Sequence, residues 1–255
     1  MRARAISPQA QLKLEVVEAQ LMRKLGIIGG TGREGSALAL RYAKAGWLVY
    51  VGSRDPKRAQ LFIEKLRSEL REASGDLIGC SNIEAAEYGE AVFLAIPYIG
   101  LKETLDQVES WLDQKLLVDV VVPNIMRTSY LLNEKQLELY RQHFGAGRAP
   151  SVTEEIYMYL NNAYGIKPRV VAALKTVSFK TIADFKTPFK QTILIWGFNS
   201  EDLHQLRSLL KQAFPEAELL EVPQMYWSSI EGVCEFIRHM SIQGVRIEAL
   251  SFTYS

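Results

Sequence analysis

The chain has almost no net charge, +1 over 255 residues. That removes the electrostatic ground for a nucleic-acid partner or an anionic membrane surface. Cysteine is scarce too: Cys80 and Cys234 match no metal or redox spacing and read as two free thiols in a reducing compartment. No apolar run approaches a membrane span, and there is no internal repeat or low-complexity segment. Arg2 and Arg4 are followed by no apolar signal core, and Glu15 and Glu18 argue against a transit peptide. A cytoplasmic protein is expected. Histidine is limited to His143, His204 and His239, each in a helix pattern without a partner motif, so surface or satisfied histidines are expected. What remains is ordinary globular composition, 48% hydrophobic and 23% charged, long enough for one large domain or two smaller ones.

The informative stretch is Lys24 to Arg54, KLGIIGGTGREGSALALRYAKAGWLVYVGSR. Leu25 to Gly29 is a short apolar run of the buried parallel-strand kind. Gly30, Gly32 and Gly35 follow in the spacing G-x-G-x-x-G, Ser36 to Gly46 reads as a helix, and Trp47 to Val51 as a second strand. In that context the three glycines serve a sharp turn, a close approach to a pyrophosphate and tight helix–strand packing. The helix then aims free N–H groups and its positive dipole end at the phosphates. A dinucleotide site is expected, with a ligand-free glycine turn as the alternative.

The end of the second strand selects the cofactor. NAD-binding chains place a carboxylate there for the ribose hydroxyls. This chain has Gly52-Ser53-Arg54, then Asp55-Pro56-Lys57. Ser53 can donate to a 2′-phosphate, Arg54 can pair with it or stack on adenine, and Lys57 adds charge one turn on. Asp55 reads as the cap of the next helix, with Pro56 at its first position. NADP is expected rather than NAD.

Further on, a helix is expected over Pro56–Ala73, a short third strand at most over Asp76–Cys80, and a short helix over Ile83–Tyr88. Ala91–Ile96 is a buried strand ending in Ile96-Pro97-Tyr98 beside the cofactor; Leu101–Leu112 is a helix, and Leu116–Val122 a strand ending in Val122-Pro123-Asn124. Residues 125–150 read as an elaboration containing a helix over Asn133–Phe144 and a glycine-rich turn at 145–150. Thr153–Tyr164 is a helix and Arg169–Leu174 a strand. Phe179–Lys190 reads as irregular, Gln191–Trp196 as a strand, Ser200 as the cap of a helix to Phe214, Ala217–Val222 as a strand. Trp227–Met240 closes the pattern as a helix with Trp227, Ile230, Cys234, Ile237 and Ser241 on one face. Residues 1–22 are either an appended helix or sequence ahead of an alternative start at Met22. The fold expected is α/β: a doubly wound parallel Rossmann sheet at 23–177 and a smaller C-terminal domain, α/β or mostly helical, at 178–255.

GIIGGTGREGSALALRYAKAGWLVYVGSR, followed in order by LAIPY, a strand ending VVVP, and RVVAALKTV, resembles the NADPH-dependent reductases of coenzyme F420, the 8-hydroxy-5-deazaflavin carrier. The likeness continues more weakly over the helix of residues 200–214 and the final helix, and covers most of residues 23–250. It implies two cofactors in the cleft between the domains, with a hydride passing between nicotinamide and deazaflavin. By matching motif, Thr31, Gly32, Arg33 and Glu34 would line the diphosphate, and Ser53, Arg54 and Lys57 would hold the 2′-phosphate. Ile96-Pro97 and Val122-Pro123 would flank the ribose and nicotinamide. Relatives carry Asn or His where this chain has Lys175, a position expected near the reacting rings. As a cation Lys175 could stabilise a deazaflavin or substrate anion; the plainer alternative is a strand-end lysine reaching solvent.

Hydride transfer between two bound rings needs stacking at close distance, exclusion of water and a tuned field, so the lack of a catalytic dyad does not exclude an enzyme. The leading expectation is an NADP-dependent oxidoreductase acting on a deazaflavin. The alternatives are an NADPH-dependent reductase of a flavin, small carbonyl or imine, and a non-catalytic NADP-binding protein. Trp196, Tyr226 and Trp227 could face a ring system, with core packing as the commoner use. A homodimer through the apolar face of the final helix is the expected assembly.

Overall fold

The structure, a computed structural model, describes residues 23–67, 75–123, 129–145 and 149–242. The segment 1–22, the far end of the helix expected to reach Ala73, the start of the 125–150 elaboration, and part of its glycine turn lie outside the described residues.

The sheet is built from β1 (Lys24–Ile28), β2 (Leu48–Ser53), β3 (Asp76–Ser81), β4 (Ala91–Leu94), β5 (Leu116–Asp119), β6 (Arg169–Ala172), β7 (Thr192–Gly197) and β8 (Glu218–Glu221). Their order is β3-β2-β1-β4-β5-β6-β7-β8. All pairs are parallel except β6 with β7, an antiparallel joint of Val171 with Gly197 and Ala172 with Trp196. Apolar strands covered on both faces form such a sheet; every residue of β4 and β5 is buried. β3 is fuller than expected, since all six of its residues pair with β2.

The helices are α1 (Arg33–Lys44), α2 (Pro56–Leu66), α3 (Asn82–Tyr88), α4 (Leu101–Val108), α5 (Glu134–Phe144), α6 (Val152–Tyr164), α7 (Phe179–Ala183), α8 (Ser200–Ala213) and α9 (Trp227–Ile242). They cover both faces of the sheet. On one face Leu38 and Tyr42 of α1 and Leu206 and Leu210 of α8 share a core with Leu25, Ile27, Val171 and Ile195. On the other, Leu101 and Leu105 of α4 and Ile156 and Leu160 of α6 share a core with Ile28, Leu94 and Val170. Consecutive strands joined by crossover helices and packed this way give the doubly wound α/β fold. The expected boundary at residue 177 falls just after β6, where the sheet turns antiparallel.

Three local expectations are corrected. α1 begins at Arg33, not Ser36, so the first helical turn belongs to the glycine motif itself. Asn199, not Ser200, caps α8: its side chain accepts from Asp202 N–H. The stretch expected to be irregular from Phe179 contains α7, capped by Ser178 and bound to α1. The tie is Arg41, whose Nε donates to Ile182 O at 2.7 Å and whose Nη2 donates to Asp184 O at 2.8 Å. Its guanidinium also lies 5.0 Å from the ring centres of Phe185 and Phe214. No described helix is long and apolar enough to cross a membrane.

Candidate functional site

The loops after β1, β4 and β5 gather at the carboxyl ends of the strands, where the order reverses beside β1, the place where open α/β sheets bind ligands. The chain leaves β1 through Gly29, whose φ of +76° places it in the left-handed region. A Cβ there would lie 2.6 Å from Ala95 O and from Ile96 Cγ2, so the turn is pressed against the end of β4. Asn82 Oδ1 accepts from Gly29 N–H at 3.1 Å, and Gly52 O accepts from Gly30 N–H at 2.8 Å. Neither Gly29 nor Asn82 stands among the residues expected from the G-x-G-x-x-G spacing; the doubled Gly29-Gly30 was the signal. Gly35 is buried because a Cβ would meet Gly29 O at 2.6 Å, which is the close helix–turn packing expected of the third glycine.

α1 therefore starts with Gly32 as its N-cap and no side chain capping it. The N–H groups of Arg33, Glu34 and Gly35 are left for an anion. Thr31, Gly32 and Arg33 are at least partly exposed around them. The Arg33 guanidinium lies 5.1 Å from the centre of the Phe179 ring.

Beside this turn, Ser53 is buried at the end of β2, and its Oγ accepts from Asp55 N–H at 3.2 Å while its own O–H meets no acceptor among the described residues. Arg54 and Lys57 are exposed. Asp55 caps α2 by accepting from Lys57 and Arg58 N–H, so its carboxylate is used on the helix and not on a ribose. These features fit a dinucleotide with a 2′-phosphate: an uncapped helix start, a turn too tight for side chains, and cations at the strand end.

Ile96 is half-buried and Pro97 exposed just past β4; Val122 is half-buried and Pro123 buried past β5. Asp119 ends β5 where the strand had been expected to run to Val122, because its carboxylate turns back to accept from Val121 N–H at 2.9 Å. Lys175 does not reach solvent. Leu174, with φ +62°, turns the chain back after β6, an uncommon conformation for a residue with a side chain. Lys175 Nζ then donates to Asp119 Oδ2 at 2.7 Å, Glu231 Oε1 at 2.8 Å and Val121 O at 2.5 Å. Both partners in each ion pair are fully buried. Asp119 also accepts from the Thr153 hydroxyl at 2.8 Å, which accepts from Trp196 Nε1 at 2.9 Å. Glu231 Oε2 accepts from Val152 N–H at 2.8 Å. Burial works against the charge of Lys175, yet Asp119 and Glu231 hold its pKa above the ordinary lysine value. Burial pushes Glu231 above the ordinary carboxylate range against the pull of Lys175.

Glu34, in the first turn of α1, is near enough to Lys175 and Asp119 for their charges to act on it. Part of its side chain reaches the surface, but burial pushes its pKa up to about 8, opposed by Lys175 and reinforced by Asp119. The structure thus brings Lys175 together with Glu34 and the β5 loop, and keeps Ser53, Arg54 and Lys57 beside the glycine turn. Asp119 and Glu231 were not anticipated, although an aspartate in the apolar run LLVDVVV was a readable signal. Trp196 and Trp227 stack on each other in the interior at 6.2 Å between ring centres, and Tyr226 is exposed.

The family described as NADP oxidoreductase, coenzyme F420-dependent, matches residues 24–123. The chain is 30% identical over 180 residues to a Methanocaldococcus jannaschii F420-dependent NADP reductase, covering 70% of this chain and 74% of that one. It is 37% identical over 100 residues to a protein of the same description from Methanothermobacter marburgensis, 39% of this chain and 45% of that one. In fold it is similar to a protein from Arthrobacter sp. provisionally named an F420-dependent NADP reductase. The TM-score is 0.65 at 17% identity, over 91% of this chain and all of the other.

Proposed function

The chain belongs to the F420-dependent NADP reductase family, and on that premise we propose that it moves a hydride between NADPH and coenzyme F420. The observation that carries the NADP half is the end of β2. Ser53, Arg54 and Lys57 sit beside an uncapped helix start, and the carboxylate that follows Arg54, Asp55, is spent on α2. In this reading Gly30, Thr31, Gly32, Arg33, Glu34 and Gly35 surround the diphosphate, and Ser53, Arg54 and Lys57 hold the 2′-phosphate. Ile96 and Pro97 with Val122 and Pro123 flank the ribose and nicotinamide. Lys175 is a positioning residue: all three of its N–H groups are engaged below the β5 loop, so it acts on the rings through the field and through the shape of that loop. The two bound rings supply the hydride chemistry, and the chain's task is to hold them close and dry.

In the same reading residues 23–177 form the NADP-binding domain and 178–255 supply the second wall of the cleft. We place the protein in the cytoplasm with the NADPH pool, as a homodimer through the outer side of α9, where Val233 and Phe236 are exposed.

The test follows the absorbance of both cofactors after NADPH is mixed with oxidised F420. Matched loss of the two signals is expected. Tight NADPH binding, seen by fluorescence, with no exchange would overturn the F420 half and leave the NADP half standing.

A further inference from the structure

We propose that Phe179 is a positioning residue for the dinucleotide: its ring holds the Arg33 guanidinium at the turn where the diphosphate binds. This rests on the reading that the diphosphate sits at the Gly30–Gly35 turn. Arg33 is the first residue of α1, so its backbone N–H and its side chain serve the same anion site. Its guanidinium carbon lies 5.1 Å from the centre of the Phe179 ring, within cation–π range.

The kind of hold matters. Among the described residues no acceptor takes a guanidinium N–H of Arg33. A carboxylate in place of the ring would occupy those groups and repel a diphosphate. An aromatic ring attracts the cation through its face and carries no net charge, so most of the N–H groups stay available to phosphate oxygens. Arginine is a long side chain, and ordering it at the moment of binding costs affinity. Ordered beforehand, it removes part of that cost.

Phe179 is itself fixed from both directions along the chain. Before it, Lys175 is buried with Nζ donating to Asp119, Val121 O and Glu231. Val177 is buried, and its N–H donates to Leu174 O at 2.9 Å. Ser178 then caps α7 by accepting from Lys180 N–H. After it, Ile182 is fully buried, and Arg41 donates to the carbonyls of Ile182 and Asp184. Two arginines of α1 thus meet one short segment in different ways. Arg41 spends its N–H groups on it, and Arg33 touches it through a ring alone.

The consequence for binding is specific. The diphosphate is common to NADPH and NADH, so loss of the Phe179 ring weakens both by the same factor. Loss of Arg54 acts on NADPH alone. With Arg33 exposed and Phe179 half-buried, a cation–π contact of this kind is worth about two- to fivefold in Kd.

The experiment is calorimetric titration of NADPH and NADH into the full chain and into Phe179→Leu, Phe179→Tyr, Arg33→Met and the Phe179→Leu, Arg33→Met double variant. Phe179→Leu is expected to bind both cofactors about two- to fivefold more weakly, and Phe179→Tyr, which keeps the ring, to bind them as the unmodified protein does. In the Arg33→Met background the leucine change is expected to add nothing, because the two residues act as one. A leucine loss that persists in that background would mean that α7 acts by packing alone, and would overturn the assignment. Unchanged binding in Phe179→Leu would overturn it as well, and so would tighter binding, which would show the ring keeping Arg33 from the phosphates. A loss confined to NADPH would overturn the diphosphate as the group served. Absence of NADPH binding to the unmodified protein would overturn the NADP reading, and this proposal with it. If Phe179→Leu fails to fold, Arg33→Met decides: NADPH affinity equal to that of the unmodified protein refutes the proposal.

Discussion

α1 and α9 bury opposite kinds of side chain. α1 buries Leu38 and Tyr42 on one face, as the i, i+4 spacing requires, and Leu40 on another. α9 turns Trp227 and Cys234 inward, but with them Glu231 and Glu235, while Val233 and Phe236 stay outside. Ile230 and Ile237, expected on the core face, are only half-buried, and the side chain of Ser241 lies outside the described residues. The α1 end of the site is held by backbone geometry: a left-handed glycine, a Cβ-free contact and a carbonyl-to-amide tie to β2. The α9 end is held by charge, through Lys175 between Asp119 and Glu231. Backbone geometry leaves exposed cations free for a ligand. A buried charge cluster leaves none free, and it fails as a unit when one member is lost.

The sharpest way to break this contrast is Lys175→Met. It leaves Asp119 and Glu231 buried without their cation, and a loss of about 3–5 kcal/mol is expected in urea unfolding. A loss under ~1 kcal/mol would mean that the cluster is not the support described. Arg54→Ala belongs to the other region and should leave unfolding unchanged. It should lower NADPH affinity by about 1.5–3 kcal/mol, the worth of a charge-assisted bond, with NADH affinity little altered; equal losses for both cofactors would remove the 2′-phosphate assignment. Asp55→Ala sharpens the distinction within the same loop. It should cost about 1 kcal/mol of stability as a lost helix cap, with NADPH binding changed far less than in Arg54→Ala.

The β1–α1–β2 unit was legible because its determinants are local. Apolar runs bounded by glycine specify strand, turn and helix, and the absence of a carboxylate at Ser53-Arg54 is visible in the letters themselves. Lys175 was legible as a position and not as an environment: its partners lie 56 residues away in both directions. The inward face of α9 was legible in Trp227 and Cys234, both buried as expected, but not in Glu231 and Glu235, since periodicity assigns carboxylates to water unless a distant lysine is known to meet them. α7 was missed because its Phe and Lys spacing resembles a loop, and its anchor to Arg41 is tertiary.

That Arg41 contact has a consequence for the order of synthesis. Its acceptor carbonyl at Ile182 is 141 residues further along the chain. At ribosomal rates of about 5–20 residues per second, roughly 7–28 s separate the two ends. Throughout that interval the side of α1 that carries Arg41 lacks its cover, while β2, β3, β4, β5 and β6 are still being made. Capture of Arg41 by the carbonyls of Ile182 and Asp184 ends that exposure.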